Sequence, residues 1–141
     1  MDSILLAKKV ELFNQYLSEL KELVGLGVNE ILADTRNYHT AERLFQLLVD
    51  TAIDINTHLL KAQTGALPDD LQSTFRALSQ ANLLPPELAD KMAPVVGLRN
   101  RIVHRYETLE RRTFVELLEK NLSDFEKYAE VISAIIKKNA P

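Results

Sequence analysis

The run YHTAERLFQLLVDTAIDINTHLLKAQ, residues Tyr38 to Gln63, decides the fold class. Ala41, Leu44, Leu48, Ala52, Ile55 and Leu59 recur every three or four residues and make one helical face. Phe45, Val49, Ile53 and Leu60 make an adjoining face, so the helix is apolar over more than one stripe. A helix of that width either fills the centre of a bundle or faces another chain, and the sequence leaves both open. Gly65 stops it, since glycine readily takes the left-handed conformation after a helix.

The same period continues outward on both sides. A first helix is predicted over Ser3–Val24, with Leu6, Val10, Phe13, Leu17, Leu20 and Val24 inward and Gly25-Leu26-Gly27 after it. Val28–Ala33 reads as a turn. Pro68 is predicted to open a third helix that fades near Asn82, with Asp69 and Asp70 complementing its dipole. Pro86 opens a fourth with Glu87 in its first turn, and Pro94 inside it is expected to kink or break it. The last helix, about Leu109–Lys138, places Val115, Leu118, Leu122, Phe125, Ala129, Ile132 and Ile136 at alternating spacings of three and four. The expectation is an all-α, up-and-down bundle of four to five helices crossing at about 20°. It forms a single domain over residues 1–141 and is expected to self-associate as a homodimer.

Composition removes several classes of function. A chain of 141 residues buries a core without a staple, and 46% apolar with 26% charged residues suits a globular protein. No cysteine is present, which excludes disulfides, thiol catalysis and cysteine-ligated zinc. His39, His58 and His104 show no paired-ligand spacing, and the glycines at 25, 27, 65 and 97 make no phosphate loop. No metal and no cofactor are therefore expected. No apolar run is long enough to span a bilayer, and the first apolar residues precede Lys8-Lys9, the reverse of a secretory signal. A cytoplasmic location without membrane attachment is the expectation.

The net charge of −3 hides an uneven distribution. Residues 99–112, RNRIVHRYETLERR, hold five Arg against two Glu, which leaves −6 on the rest of the chain. On a helical wheel at about 100° per residue, Val95, Val96, Ile102, Val103 and Tyr106 fall within about 60° of Arg99. An apolar stripe centred on an arginine demands a carboxylate, a bound anion or a second chain, because burying an unpaired guanidinium is expensive. Asp50 or Asp54 would serve. Asn100 and His104 share one flank, whereas His104 sits about 140° from Arg99. Taken singly, each residue has a plain structural reading: an internal ion pair, a satisfied histidine, an edge tyrosine.

Taken together, Arg99-Asn100-Arg101-Ile102-Val103-His104-Arg105-Tyr106 reads R-x4-H-x-Y with a polar residue after the Arg. This resembles the signature of the HEPN superfamily, and within it the HepT-like toxins encoded beside minimal nucleotidyltransferase antitoxins. Ala41-Glu42-Arg43-Leu44-Phe45-Gln46 through Asp54-Ile55-Asn56 resembles the family's second helix. Phe75-Arg76-Ala77-Leu78 followed by Leu84-Pro85-Pro86 resembles the approach to the motif. The likeness covers roughly residues 1–135; Arg101, where an apolar residue is expected, departs from it.

The resemblance implies a metal-independent endoribonuclease toxin of a type II-like or type VII toxin–antitoxin pair. Arg99, Asn100 and His104 would be catalytic, and Arg101 and Arg105 would hold RNA. Tyr106 would be the tyrosine that a cognate nucleotidyltransferase antitoxin adenylylates. It further implies a homodimer whose two motifs line one cleft. The residue chemistry agrees. Imidazole as a class suits proton transfer near neutral pH, and guanidinium suits phosphate. Two other readings stand beside it. One is a non-catalytic nucleotide- or RNA-binding companion of a nucleotidyltransferase. The other is an inert helical partner with Arg99 in an internal ion pair.

Overall fold

The computed structural model describes residues 1–104 and 109–139. Six helices follow in order: α1 (Ser3–Val24), α2 (Val28–Ala33), α3 (Thr35–Thr64), α4 (Ser73–Gln80), α5 (Pro86–His104) and α6 (Arg111–Asn139). No strand occurs among the described residues, so the all-α expectation is met. The helix count exceeds four to five because Val28–Ala33, expected as a turn, closes into a short helix. It starts at Gly27, whose φ of 91° reverses the chain after α1.

Local chemistry fixes the helix ends. Asp2 caps α1 by accepting from Leu5 N–H at 3.0 Å, and Asp34 caps α3 by accepting from Arg36 N–H at 2.9 Å. Gly65 ends α3 in the left-handed conformation at φ 72°. The third predicted helix starts later than Pro68 suggests. Asp70 accepts from Ser73 N–H at 2.8 Å, so it acts on the entry to α4 and lies outside the helix. After α4, Asn82 takes φ 60° and Leu83 N–H reaches back to Leu78 C=O at 2.9 Å, the six-to-one closure of a helix C-terminus. The break expected at Pro94 does not occur, and α5 is assigned as one helix. Pro94 and Asp90 are both exposed, so the carbonyl that loses its helical donor faces solvent.

α3 is the centre of the bundle. It packs against α1, α2, α4 and α5, and α6 closes the far side against α1, α2 and α5. All ten apolar residues of its two faces are buried within one chain, so its greasy width reflects a central position. Aromatic rings knit α6 to α3: Phe45 meets Phe114 at 5.5 Å and Phe125 at 6.4 Å between centroids.

One buried polar chain runs through this core. Tyr128 Oη lies 2.5 Å from Asn56 Oδ1 and 3.1 Å from Ala52 C=O. Asn56 Nδ2 donates to Thr74 Oγ1 at 3.1 Å, and Thr74 Oγ1 donates to Leu71 C=O at 2.7 Å. Desolvation pushes the Tyr128 phenol well above its ordinary value of 10.0. Unfolding therefore lets Tyr128 ionise more readily than the folded state does. Its contribution to stability is present below about pH 10 and is lost as pH rises beyond it. Tyr128→Phe is expected to cost about 1–3 kcal/mol at neutral pH by orphaning Asn56 Oδ1. It should also flatten the fall in melting temperature between about pH 9 and 11, as followed by circular dichroism.

Candidate active site

The site is carried by the C-terminal half of α5. Val95, Val96, Leu98 and Ile102 are buried there, and they set the rotation of the helix against α3 and α4. That rotation turns Arg99 toward α3. Its Nε donates to Asp50 Oδ1 at 2.9 Å, and its Nη1 donates to Asn100 Oδ1 at 3.2 Å. The Arg99 side chain is 22% exposed and that of Asp50 44%, so the pair sits at the rim of the core. Of the two carboxylates predicted as partners, Asp50 takes Arg99, while Asp54 meets Lys9 of α1 at 3.8 Å. A guanidinium carries five N–H donors, so two bonds hold its plane and leave donors for an anion.

The apolar stripe expected around Arg99 is only partly buried. Val103 is 37% exposed, because in the last turn of α5 the line of apolar residues emerges at the surface. Asn100, Arg101 and His104 are also exposed. α5 stays helical through His104, so the angular separation of His104 from Arg99 persists within one chain. Arg105 and Tyr106 lie outside the described residues. The basic island divides in two, since Arg111 and Arg112 turn back onto the bundle. Arg111 covers the Tyr38 ring at 4.5 Å, and Arg112 Nη2 donates to Asn29 Oδ1 at 2.9 Å. Among the described residues, no group of three or more His, Asp or Glu is placed to hold a metal ion. No helix among them is long and apolar enough to cross a membrane.

A cleft that the sequence reading did not anticipate lies beside Asn100. Asp70, Leu71, Gln72, Ser73 and Arg76 face Val96 and Asn100 across an open cleft. The signal for it was the Asp70-x-x-Ser73 capping pattern, which marks a fixed turn without saying what it faces.

With this geometry in view, the comparisons with known proteins are decisive. A family model described as Ribonuclease HepT-like matches residues 13–132. The chain belongs to the HepT-like ribonuclease family. A tRNA nuclease HepT from Aphanizomenon flos-aquae is 30% identical over 137 residues, covering 96% of this chain and 92% of that protein. An mRNA nuclease HepT from Shewanella oneidensis is 27% identical over 130 residues, covering 92% of this chain and 97% of that protein. The solved structure of a tri-AMPylated Shewanella oneidensis HEPN toxin in complex with MNT antitoxin superposes with a TM-score of 0.85. It is 26% identical and covers 95% of this chain and 98% of that one. A toxin–antitoxin structure with AMP-PNP gives 0.82 at 26% identity, covering 92% and 97%.

For a HepT-like ribonuclease the reaction to explain is scission of an RNA phosphodiester. On the expectation that Arg99 meets the scissile phosphate, Asp50 would be a positioning residue that aims it. Asp50→Ala is expected to cost about 1–2 kcal/mol of stability, because it leaves the mostly buried Arg99 guanidinium without its carboxylate while solvent screens part of the loss. RNA cleavage should fall by on the order of tenfold or more, because a misdirected guanidinium no longer meets the phosphate. Melting curves and cleavage rates on the same preparations check this. Asp50→Glu should restore part of the cleavage.

Proposed function

We propose that the chain is a metal-independent endoribonuclease toxin, silenced when a nucleotidyltransferase antitoxin adenylylates Tyr106. One observation carries the reading: in a HepT-like chain, Arg99 of the R-x4-H-x-Y motif is held by Asp50 at 2.9 Å with donors to spare. The attacking group is the 2′-hydroxyl of the RNA itself. His104 takes its proton, the 2′ oxygen bonds to phosphorus, and the 5′ oxygen departs with a proton. The products are a 2′,3′-cyclic phosphate and a 5′-hydroxyl. Arg99 and Asn100 meet the charge that builds on the phosphoryl oxygens. Arg101 and Arg105 hold the flanking backbone.

Two features support a shared cleft between two copies. His104 and Arg99 diverge along one helix, and exposed Val103 supplies an apolar contact beside His104. A second copy brings its own His104 across, so one imidazole removes the 2′ proton while the other protonates the leaving oxygen. Soluble, cytoplasmic action on RNA fits this chemistry.

His104→Ala is expected to lower RNA cleavage by about 10²–10⁴-fold, roughly 3–5 kcal/mol of transition-state stabilisation, with an unchanged melting curve. Cleavage by the parent should persist in EDTA. A variant that cuts as fast as the parent, or a parent that stops cutting in EDTA, overturns the mechanism.

The antitoxin acts at Tyr106, seven residues beyond Arg99 in sequence. An AMP on its hydroxyl places a phosphodiester where the RNA phosphate would bind. Light scattering should give a dimer mass. Intact-mass spectrometry after incubation with the nucleotidyltransferase and ATP should show added AMP on the parent and none on Tyr106→Phe. A strictly monomeric protein removes the shared cleft, and a Phe variant still modified and silenced moves the switch elsewhere.

A further inference from the structure

We infer that the cleft between the Asp70–Ser73 turn and α5 binds one nucleobase of the RNA next to the scissile phosphate, and that it favours a base bearing an amino group. The inference rests on the ribonuclease reading of the neighbouring Arg99 and His104. It adds a specificity site to that reading.

The cleft has a volume of about 410 Å³, within the range of sites for small organic ligands and roomy enough for a nucleoside. Its walls carry one carboxylate and one guanidinium, Asp70 and Arg76, so the cleft as a whole has little attraction for a phosphate. The remaining surface suits a flat heterocycle. Leu71 is 52% exposed, a large apolar side chain open to solvent on the cleft wall, while buried Val96 of α5 contributes little surface to the lining. Gln72 and Asn100 offer amides, each with donor and acceptor, to the edge of a base. Arg76 faces Asp90 at 3.5 Å with both side chains largely exposed, a contact too weak to prevent the guanidinium from stacking on a base.

Asp70 sets the preference. Its two oxygens accept from Ser73 N–H at 2.8 Å and Ser73 Oγ at 2.9 Å, which fixes the carboxylate in place and holds it below its ordinary range. The Gln72 backbone N–H also favours the carboxylate, and of its roughly four acceptor positions at least one stays open to a ligand. An acceptor-only group favours the amino edges of adenine, cytosine or guanine over the carbonyl-flanked edge of uracil.

The cleft is also fixed from behind. The Leu71 carbonyl is held by Thr74, Thr74 by Asn56, and Asn56 by Tyr128, all three buried. The turn that presents Leu71 and Asp70 is therefore anchored to three helices, and a bound base pays little ordering cost. Its position relative to the chemistry is direct. Asn100 lines the cleft and also accepts from Arg99 Nη1 at 3.2 Å, so one side chain separates the base from the guanidinium.

The test uses uncleavable 2′-O-methyl tetraribonucleotides with A, C, G or U at each position, binding to the full-length protein by fluorescence anisotropy. The parent should bind amino-bearing bases about tenfold more tightly than uracil at one position. Asp70→Asn should erase that difference, and Leu71→Ala should weaken every oligonucleotide about tenfold. Because Leu71 is exposed, its variant should melt with the parent. In the parent, titration should shift the Leu71 methyl NMR signals whatever the fate of the Asp70 variant. Absence of a base preference in the parent, unshifted Leu71 methyls, or a folded Leu71→Ala that binds as the parent does would overturn the inference. A parent that fails to cut RNA yet keeps the preference removes the nuclease reading and leaves the base site standing.

Discussion

Asn56 lies in the C-terminal half of α3 with no exposed surface, and an amide in that position must have both of its ends bonded. Its oxygen faces Tyr128 of α6 and its nitrogen donates to Thr74 of α4. Apolar contacts alone allow helices to slide by fractions of a turn at small cost, whereas these bonds hold at one register only. The relation of α6 to α3 fixes the aromatic core. The relation of α4 to α3 fixes the turn at Leu71, and through it one wall of the cleft beside Asn100. The second wall belongs to α5, which is held on α3 from its other side by Asp50.

That ion pair bears on how an arginine in a core should be read. An internal salt bridge and a catalytic role look like competitors when Arg99 is viewed as a sequence position. In the structure they are compatible, because a guanidinium anchored through Nε still presents its other N–H groups in a defined plane. A carboxylate partner removes the cost of holding the cation at the rim of the core while the site waits for an anion. The Asp50 carboxylate is half exposed, so solvent screens part of the attraction, and the pair also fixes the direction of the guanidinium.

Much of this was legible in the chain. The bounds of α1 agree at both ends, because Asp2 and Gly25 act locally and the apolar spacing between them is unbroken. The central place of α3 follows from its two adjoining faces, and Asp50 was one of two carboxylates that sequence offered to Arg99. The departures have physical causes. α2 is six residues long, too short to display a period. Pro68, Asp69 and Asp70 look like a helix entry, yet Asp70 spends its oxygens on Ser73 and moves the start to that residue. Pro94 is tolerated because its face is wet. The cleft was invisible because Asp70–Arg76 and Val96–Asn100 are brought together only by the packing of α4 on α5.

The contact between α1 and α6 joins the outermost of the six described helices, so the core closes only when both are present. Phe114, Phe125 and Tyr128, all fully buried, belong to α6, which is made after every helix it packs against. A nascent chain at about 5–20 residues per second exposes its unfinished core until α6 emerges from the ribosome. Asn56 likewise has no partner from α6 before then. The core thus closes only after α6 has been made. Truncation within α6 should yield chains that are degraded rather than partly active, which for a nuclease means that incomplete products are harmless.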